Sequence, residues 1–173
     1  MRLLIDASNL TVGGGITHLR AFLDNLDLKD TVFTGLEVAA SDKTLAKLPD
    51  PPCLIKRSHK YLNAGLPSRW WWSRKILTDW LAEEPSLLYQ PGGGYSGPFH
   101  PYVTMSRNML VFDRKEAARY RRTRVALRLR LLRVQQLQSF RNADGIIFIS
   151  QYARKEVEKY TGKLATAKII HHG

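Results

Sequence analysis

The sequence predicts an α/β fold, with an open, mostly parallel sheet that is covered by helices on both faces. Short apolar segments alternate with amphipathic helical segments along the chain, which is typical of strands joined by crossover helices. A glycine run at Gly13–Gly15 separates the first apolar segment from the first helical one. The chain has 173 residues, about one domain's worth and enough to bury a sizeable core. We therefore expect a single domain over residues 1–173.

The first half of the chain contains four predicted strands. The apolar run that opens the chain ends at Ser8, and apolar residues then recur every three or four positions, which indicates a helix. A later helix has Pro67 at its start and Pro85 just past its end, where proline is tolerated. The predicted strands lie at 2–7, 31–40, 54–55 and 87–89, and the predicted helices at 16–26, 42–48 and 67–84.

The second half continues the alternation. The segment 115–140 lacks proline and glycine and is predicted to be one long helix. Ser150 is the expected N-cap of the helix that follows it, because a serine oxygen can accept from the first helical amides. The predicted strands lie at 102–105, 145–149 and 168–171, and the predicted helices at 115–140 and 151–160.

The chain is strongly basic, with 27 Lys and Arg against 15 Asp and Glu and a net charge of +12. Nine basic residues and one acid, Glu116, lie between Arg114 and Arg133, so this segment carries +8 of the total. Such a field attracts polyanions, namely nucleic acid, anionic lipid headgroups or phosphorylated substrates. The single cysteine, Cys53, excludes an intramolecular disulfide and a cysteine-based zinc site.

Two segments are candidates for contact with a membrane surface. The long basic helix has a second apolar face at Leu127, Leu131 and Val134, which indicates either a membrane-surface helix or a face packed on a neighbouring helix. Tryptophan favours membrane–water boundaries, and in the run at 70–72 at least one ring should still pack inward. The membrane-surface candidates are Trp70, Trp71, Arg121, Arg122, Arg124 and Arg128.

Unusual residues follow the ends of several predicted strands, where ligands of doubly wound sheets bind. Gly13–Gly15 can place the amides of a helix N-terminus against a phosphate, or can form a tight turn. His18 lies in the following helix, as a ligand contact or as a packing residue. Arg107 and Asn108 follow the fifth strand and can bind a phosphate and a hydroxyl, or can satisfy loop carbonyls. These three side chains, His18, Arg107 and Asn108, are the catalytic candidates.

Five segments, in the expected order, resemble group 1 (GT4-type) glycosyltransferases. They are LIDAS at 4–8, GGGITHL at 13–19, RNML at 107–110, ADGIIFIS at 143–150 and IIHHG at 169–173. The resemblance implies one half of a GT-B fold, in which two Rossmann-like domains face each other across a cleft without a metal. The chain resembles the N-terminal, acceptor-side domain, and we expect the C-terminal donor-binding domain to lie outside it.

The resemblance also implies roles for individual residues. Gly13, Gly14 and Gly15 would lie near the donor diphosphate, and Ser150, His172 and Gly173 would lie along the cleft. Many members have a His-Asp pair where this chain has Arg107-Asn108, so no catalytic histidine is carried over.

The implied reaction is transfer of a sugar from a nucleotide sugar to the hydroxyl of a glycan or lipid-linked acceptor, in cell-surface polysaccharide or lipopolysaccharide assembly. We expect no cofactor and no metal, a cytoplasmic location at the membrane face, and an isolated domain that is inactive.

Two other functions stay open from the sequence. A nucleic-acid-binding module would explain the charge, although the chain has no helix-turn-helix, zinc or RNA-binding signature. A non-catalytic subunit that recruits a split glycosyltransferase to the membrane would need a partner chain.

Overall fold

The computed structural model describes residues 1–11, 13–113, 119 and 124–171, without the side chains of Asp30, Leu66 and Arg124. Its strands are β1 Arg2–Asp6, β2 Gly35–Ala39, β3 Leu54–Arg57, β4 Ser86–Gln90, β5 Tyr102–Ser106, β6 Gly145–Phe148 and β7 Ala167–Ile169. They form a seven-stranded parallel sheet in the order β3-β2-β1-β4-β5-β6-β7. The predicted open parallel sheet of a Rossmann-like α/β fold is confirmed.

Helices connect the consecutive strands except β4 and β5, which are joined by the loop 91–101. They are α1 Gly14–Asn25, α2 Asp42–Leu45, α3 Leu66–Trp71, α4 Leu77–Ala82, α5 Arg124–Asn142 and α6 Gln151–Thr161. A π-helical segment, Trp72–Ile76, joins α3 to α4, and short 3₁₀ segments lie at Leu28–Asp30 and Met109–Val111. The first part of the predicted helix 115–140 lies outside the described residues, and the rest of it is α5.

The chain divides into two compact units. The first consists of residues 1–92 and 97–102 and contains β1 to β4 with α1 to α4. The second consists of residues 93–96 and 103–173 and contains most of β5, all of β6 and β7, and α5 and α6.

The first unit has its core around β1, which is buried along its whole length. Both faces of a central parallel strand are covered, so its sequence is a continuous apolar run, here Leu3, Leu4 and Ile5. Leu19 and Leu23, four residues apart on α1, are also buried.

The second unit has its own core, built from β6, α5, α6 and the 3₁₀ segment. Three phenylalanine rings lie at its centre, with centroids of Phe112 and Phe140 6.1 Å apart and those of Phe140 and Phe148 6.3 Å apart. Leu129 of α5 and Val157 of α6 belong to the same buried cluster.

Several predicted elements differ from the observed ones. The helix predicted at 42–48 ends at Leu45, and the strand predicted at 168–171 lies at Ala167–Ile169. The predicted strand at 31–40 begins only at Gly35, because Thr31 closes the 3₁₀ turn by donating its backbone N–H to the Leu28 carbonyl at 3.1 Å. The helix predicted at 67–84 is present but changes to π-helical geometry at Trp72, which is fully buried.

A buried ion network ties the four strands of the first unit together. Arg2 donates to the Glu37 carboxylate at 3.1 Å, to the Ser86 hydroxyl at 3.1 Å and to the Trp80 carbonyl at 2.6 Å. Arg57 of β3 donates to both oxygens of the same carboxylate. The Arg2 and Glu37 side chains are each less than 10 % exposed, so the pairing replaces water that both have lost.

We predict that Glu37→Ala lowers the free energy of unfolding by about 3–5 kcal/mol, because it leaves the buried Arg2 guanidinium without its counter-charge. Glu83→Ala, at an exposed carboxylate of the same unit, should change the free energy by less than about 0.5 kcal/mol. Denaturant unfolding followed by circular dichroism measures both. Equal effects of the two substitutions would contradict the assigned role of the network.

The same network has a defined pH dependence. Burial alone would raise the pKa of Glu37, but the hydrogen bond from Arg57 and the charges of Arg2 and Arg57 lower the pKa below its usual range. A lowered pKa gives stability that is complete above the unfolded value of about 4.3 and is lost as the pH falls. The stability advantage of the wild type over Glu37→Gln should therefore shrink below about pH 4.3.

Candidate functional site

The carboxyl ends of the first unit's strands lie in register at one edge of the sheet. Asp6, the last residue of β1, is paired with Ala39, the last residue of β2, and Ile5 is paired with Tyr89 near the end of β4. The strand order reverses direction between β1 and β4. Ligands of open α/β sheets bind at such a reversal, outside the carboxyl ends of the strands. A ligand site is therefore expected at the loops after β1 and β4.

The loop after β1 ends in an exposed glycine pair at the N-terminus of α1. Gly13 has φ 75 and ψ −160, a conformation that is essentially restricted to glycine, and α1 begins at Gly14. A Cβ placed on either residue would have no heavy atom within 4 Å. Glycine carries no side chain that could cap the first amides of α1, and of these the Ile16 amide donates to the Gly13 carbonyl at 3.0 Å. The N-terminus of α1 at Gly14 lies at an open surface.

The three glycines of the run are not equivalent. Gly15 is buried, whereas Gly13 and Gly14 are exposed. Of the three glycines expected near the donor diphosphate, Gly13 and Gly14 are the ones at which a Cβ would meet open space. His18 is half-buried on α1, four residues after Gly14, and residues at that spacing share a helix face.

Asp6 organises the loop that follows β1. Its carboxylate accepts the backbone N–H of Ser8 at 3.1 Å, and the loop continues with a hydrogen bond from the Leu10 amide to the Ala7 carbonyl at 2.9 Å. The side chain is buried, with 2 % of the residue exposed, and burial raises its pKa while the contacts with Ser8 lower it less. Asp6 therefore caps the Ser8 amide of this loop.

The loop after β4 packs directly on the loop after β1. A Cβ on Gly92 would lie 2.9 Å from the Gln90 side-chain nitrogen and 3.3 Å from the Asn9 Cβ, so a larger residue would require these side chains to move. In the second unit, a Cβ on Gly93 would lie 3.0 Å from the Met105 carbonyl oxygen and 3.2 Å from the Gln136 side-chain nitrogen. Close packing therefore disfavours a side chain at both glycines, and this constraint comes from residues that are distant in the sequence.

The second unit holds the other candidates, at the carboxyl ends of β5 and β6. Arg107 follows β5 and is half-buried, and Asn108 is exposed at the start of the 3₁₀ segment. Ser106 pairs with Phe148, so the segments after these two strands leave the sheet side by side. The Ser150 hydroxyl accepts the Ala153 amide at 3.1 Å, which confirms Ser150 as the N-cap of α6. His172 and Gly173 lie outside the described residues.

The membrane-surface candidates fall into two groups. Trp70 and Trp71 are about half exposed, and the guanidinium of Arg74 lies 5.0 Å from the Trp70 ring centroid. Trp72 is fully buried against the Trp80 ring, 4.9 Å between centroids, so one ring of the run does pack inward. Arg128 is exposed on α5, whereas Arg121, Arg122 and the Arg124 side chain lie outside the described part of the chain.

A membrane-spanning helix and a metal-binding cluster are both absent from the described residues. No helix among them combines the length and the apolar character needed to cross a membrane. Within the same residues, no group of three or more His, Cys, Asp or Glu side chains is placed to hold a metal ion.

Comparisons with protein-family models, with curated proteins and with solved structures found no match to this chain. The resemblance to glycosyltransferases therefore stays a prediction that depends on the residues quoted above.

We predict opposite effects of alanine at neighbouring glycines. Gly13→Ala should lower the free energy of unfolding by about 1–3 kcal/mol, because its backbone conformation disfavours a side chain. Gly14→Ala should raise it by about 0.5–1 kcal/mol, because the helical position is open and alanine favours helices. Denaturant unfolding of both variants gives the values. Equal stability of the two would show that the turn is not constrained as described.

We predict that Asp6→Asn removes a pH dependence from the fold. A pKa raised by burial means that stability is greatest below about pH 3.9 and falls as the pH rises through the folded-state value. The asparagine oxygen can still accept the Ser8 amide, so the variant should be as stable as the wild type or more stable at pH 7. Unfolding measured at several pH values tests this, with Asp24→Asn on the exposed surface of α1 as the control. A large loss of stability in Asp6→Asn at pH 7 would show that the carboxylate charge is needed.

Proposed function

We propose that this chain is the N-terminal, acceptor-side half of a glycosyltransferase that uses a nucleotide sugar. The observation that carries the proposal is the open Gly13-Gly14 pair at the N-terminus of α1, beside the reversal of strand order between β1 and β4. The residues that resemble group 1 glycosyltransferases include this same loop. Both lines of reasoning lead to a phosphate-bearing ligand at the same place.

The chemistry of sugar transfer suits these groups. As the glycosidic bond to the donor breaks, negative charge grows on the nucleoside diphosphate that leaves. Amides fixed at the N-terminus of a helix stabilise such charge without reorganising, because folding has already oriented them. The loop that precedes α1 has hydrogen bonds of its own, from the Ser8 amide to the Asp6 carboxylate and from the Leu10 amide to the Ala7 carbonyl.

The remaining roles come from the resemblance and the residue chemistry. Arg107 would neutralise a phosphate and Asn108 would position a hydroxyl of the sugar or of the acceptor. Most donor contacts would belong to a second Rossmann-like domain outside this chain. The acceptor would be a glycan or a lipid-linked glycan of cell-surface polysaccharide assembly, and the enzyme would work at the cytoplasmic face of the membrane.

The proposal predicts weak but localised binding of nucleoside diphosphates by this chain. In ¹H–¹⁵N spectra, UDP or GDP should shift the amide resonances of Gly14, Gly15 and Ile16. Gly14→Val places a branched side chain in the open space and should weaken the binding at least about fivefold. Thr17→Val, an exposed substitution of equal size on the same helix, should leave the binding within about twofold.

Two results would contradict the proposal. One is the absence of shifts at these amides at high nucleotide concentration. The other is shifts confined to the arginines of α5, which would indicate charge attraction alone. Melting temperatures of both variants separate a loss of binding from a loss of folding.

A further inference from the structure

We propose that the exposed face of α5 docks onto an anionic lipid bilayer and lies parallel to its surface. The inference is independent of the glycosyltransferase proposal, because it depends only on α5 and its neighbours in the second unit. The sequence alone left two interpretations of this face open, a membrane-surface helix and a face packed on a neighbouring helix, and we propose the first.

The exposed face of α5 carries an apolar stripe, defined as Leu127, Leu131 and Val134. These residues are spaced by four and three positions, so at about 100° per residue they lie within an arc of roughly 60°. Each of the three is 63–65 % exposed. Three large apolar side chains in one line on a solvent-exposed helix form a surface that favours an apolar partner.

The opposite face of α5 is already used by the fold. Leu129, Gln136, Ser139 and Phe140 are all buried, and the Ser139 hydroxyl accepts the Tyr95 amide at 3.1 Å. Because this face is fixed in the core of the second unit, α5 cannot turn to bury the stripe. The stripe is therefore a constant feature of the folded surface.

The charge around the stripe is of one sign. The 19 residues of α5 include five arginines and no acidic residue. Arg128 and Arg130 are exposed and flank the stripe on its two sides. Arg133 is directed inward instead, since it donates to the Val111 carbonyl at 2.6 Å. A helix with apolar residues along one line and arginines beside them matches the composition of helices that bind anionic membrane surfaces.

Charge complementarity selects the membrane over other occupants. A second copy of the chain would bring two arginine-flanked stripes together, and the whole chain has a net charge of +12, so like charges would oppose the contact. A nucleic acid would use the arginines but would leave the leucines exposed to water. An anionic bilayer uses both, because its headgroups attract the arginines and its acyl boundary takes up the apolar side chains.

The test is co-sedimentation of the full chain with vesicles of phosphatidylcholine containing about 30 mol % phosphatidylglycerol. The wild type should bind these vesicles and should bind pure phosphatidylcholine vesicles at least about tenfold more weakly. Replacing Leu127, Leu131 and Val134 together by Gln should weaken binding by about tenfold or more. Val32→Gln removes an apolar side chain that is 72 % exposed elsewhere, and should leave binding unchanged.

A second set of variants tests the electrostatic contribution of the α5 arginines to vesicle binding. Arg128→Gln with Arg130→Gln should weaken binding about tenfold and reduce its dependence on salt between about 0.1 and 0.5 M. Lys43→Gln with Lys155→Gln removes the same charge from two exposed positions outside α5 and should have a smaller effect. Circular dichroism and the melting temperature of each variant establish that it is folded.

Four outcomes would overturn the proposal. Three of them are absence of binding to the anionic vesicles, vesicle binding that the folded glutamine variant of the stripe retains in full, and a dimer of the wild type in solution that dissociates in this variant. Binding to duplex DNA in preference to vesicles, unaffected by the stripe, would also overturn it and would favour the nucleic-acid interpretation.

Discussion

Parallel pairing is the constraint on which the rest of this structure depends. A strand that pairs in parallel with the next must be followed by a crossover, so the carboxyl ends of the strands and the loops that leave them gather at one edge. In the first unit this edge brings Asp6, the Gly13 turn and Gly92 into one neighbourhood around β1 and β4. The buried carboxylate shapes the loop, and the two glycines allow it to turn and to be packed closely. The candidate phosphate site is a consequence of this arrangement.

The fold was predictable because its signal is repeated along the chain. Each buried strand is a short apolar run, and each helix has its own periodicity or cap, as Ser150 shows for α6. What could not be predicted depends on contacts between distant residues. A side chain at Gly92, for example, would crowd Asn9, more than eighty positions away. The sequence suggested a glycine turn but did not distinguish Gly13, with its positive φ, from the buried Gly15.

The long helix α5 illustrates how one element can serve the core and a surface at once. Its buried face contributes Leu129 and Phe140 to the second unit, while its exposed face keeps Leu127 and Leu131 in solvent. Leaving such residues exposed has no benefit for stability, so their role is expected outside the folded chain. For an enzyme that extends a lipid-linked glycan, a membrane-bound face would bring the catalytic domain to the surface where its acceptor is held.

The most direct measurement is a crystal structure of this chain soaked with a nucleoside diphosphate. The account predicts electron density for the diphosphate at the N-terminus of α1, with phosphate oxygens within about 3 Å of the backbone nitrogens of Gly14 and Gly15. Density for the nucleotide against the arginines of α5 alone, with none at α1, would contradict the account. Such density would show that the glycine loop is only a turn. It would also show that phosphate is attracted by the positive charge of the chain and not by a specific binding site at α1.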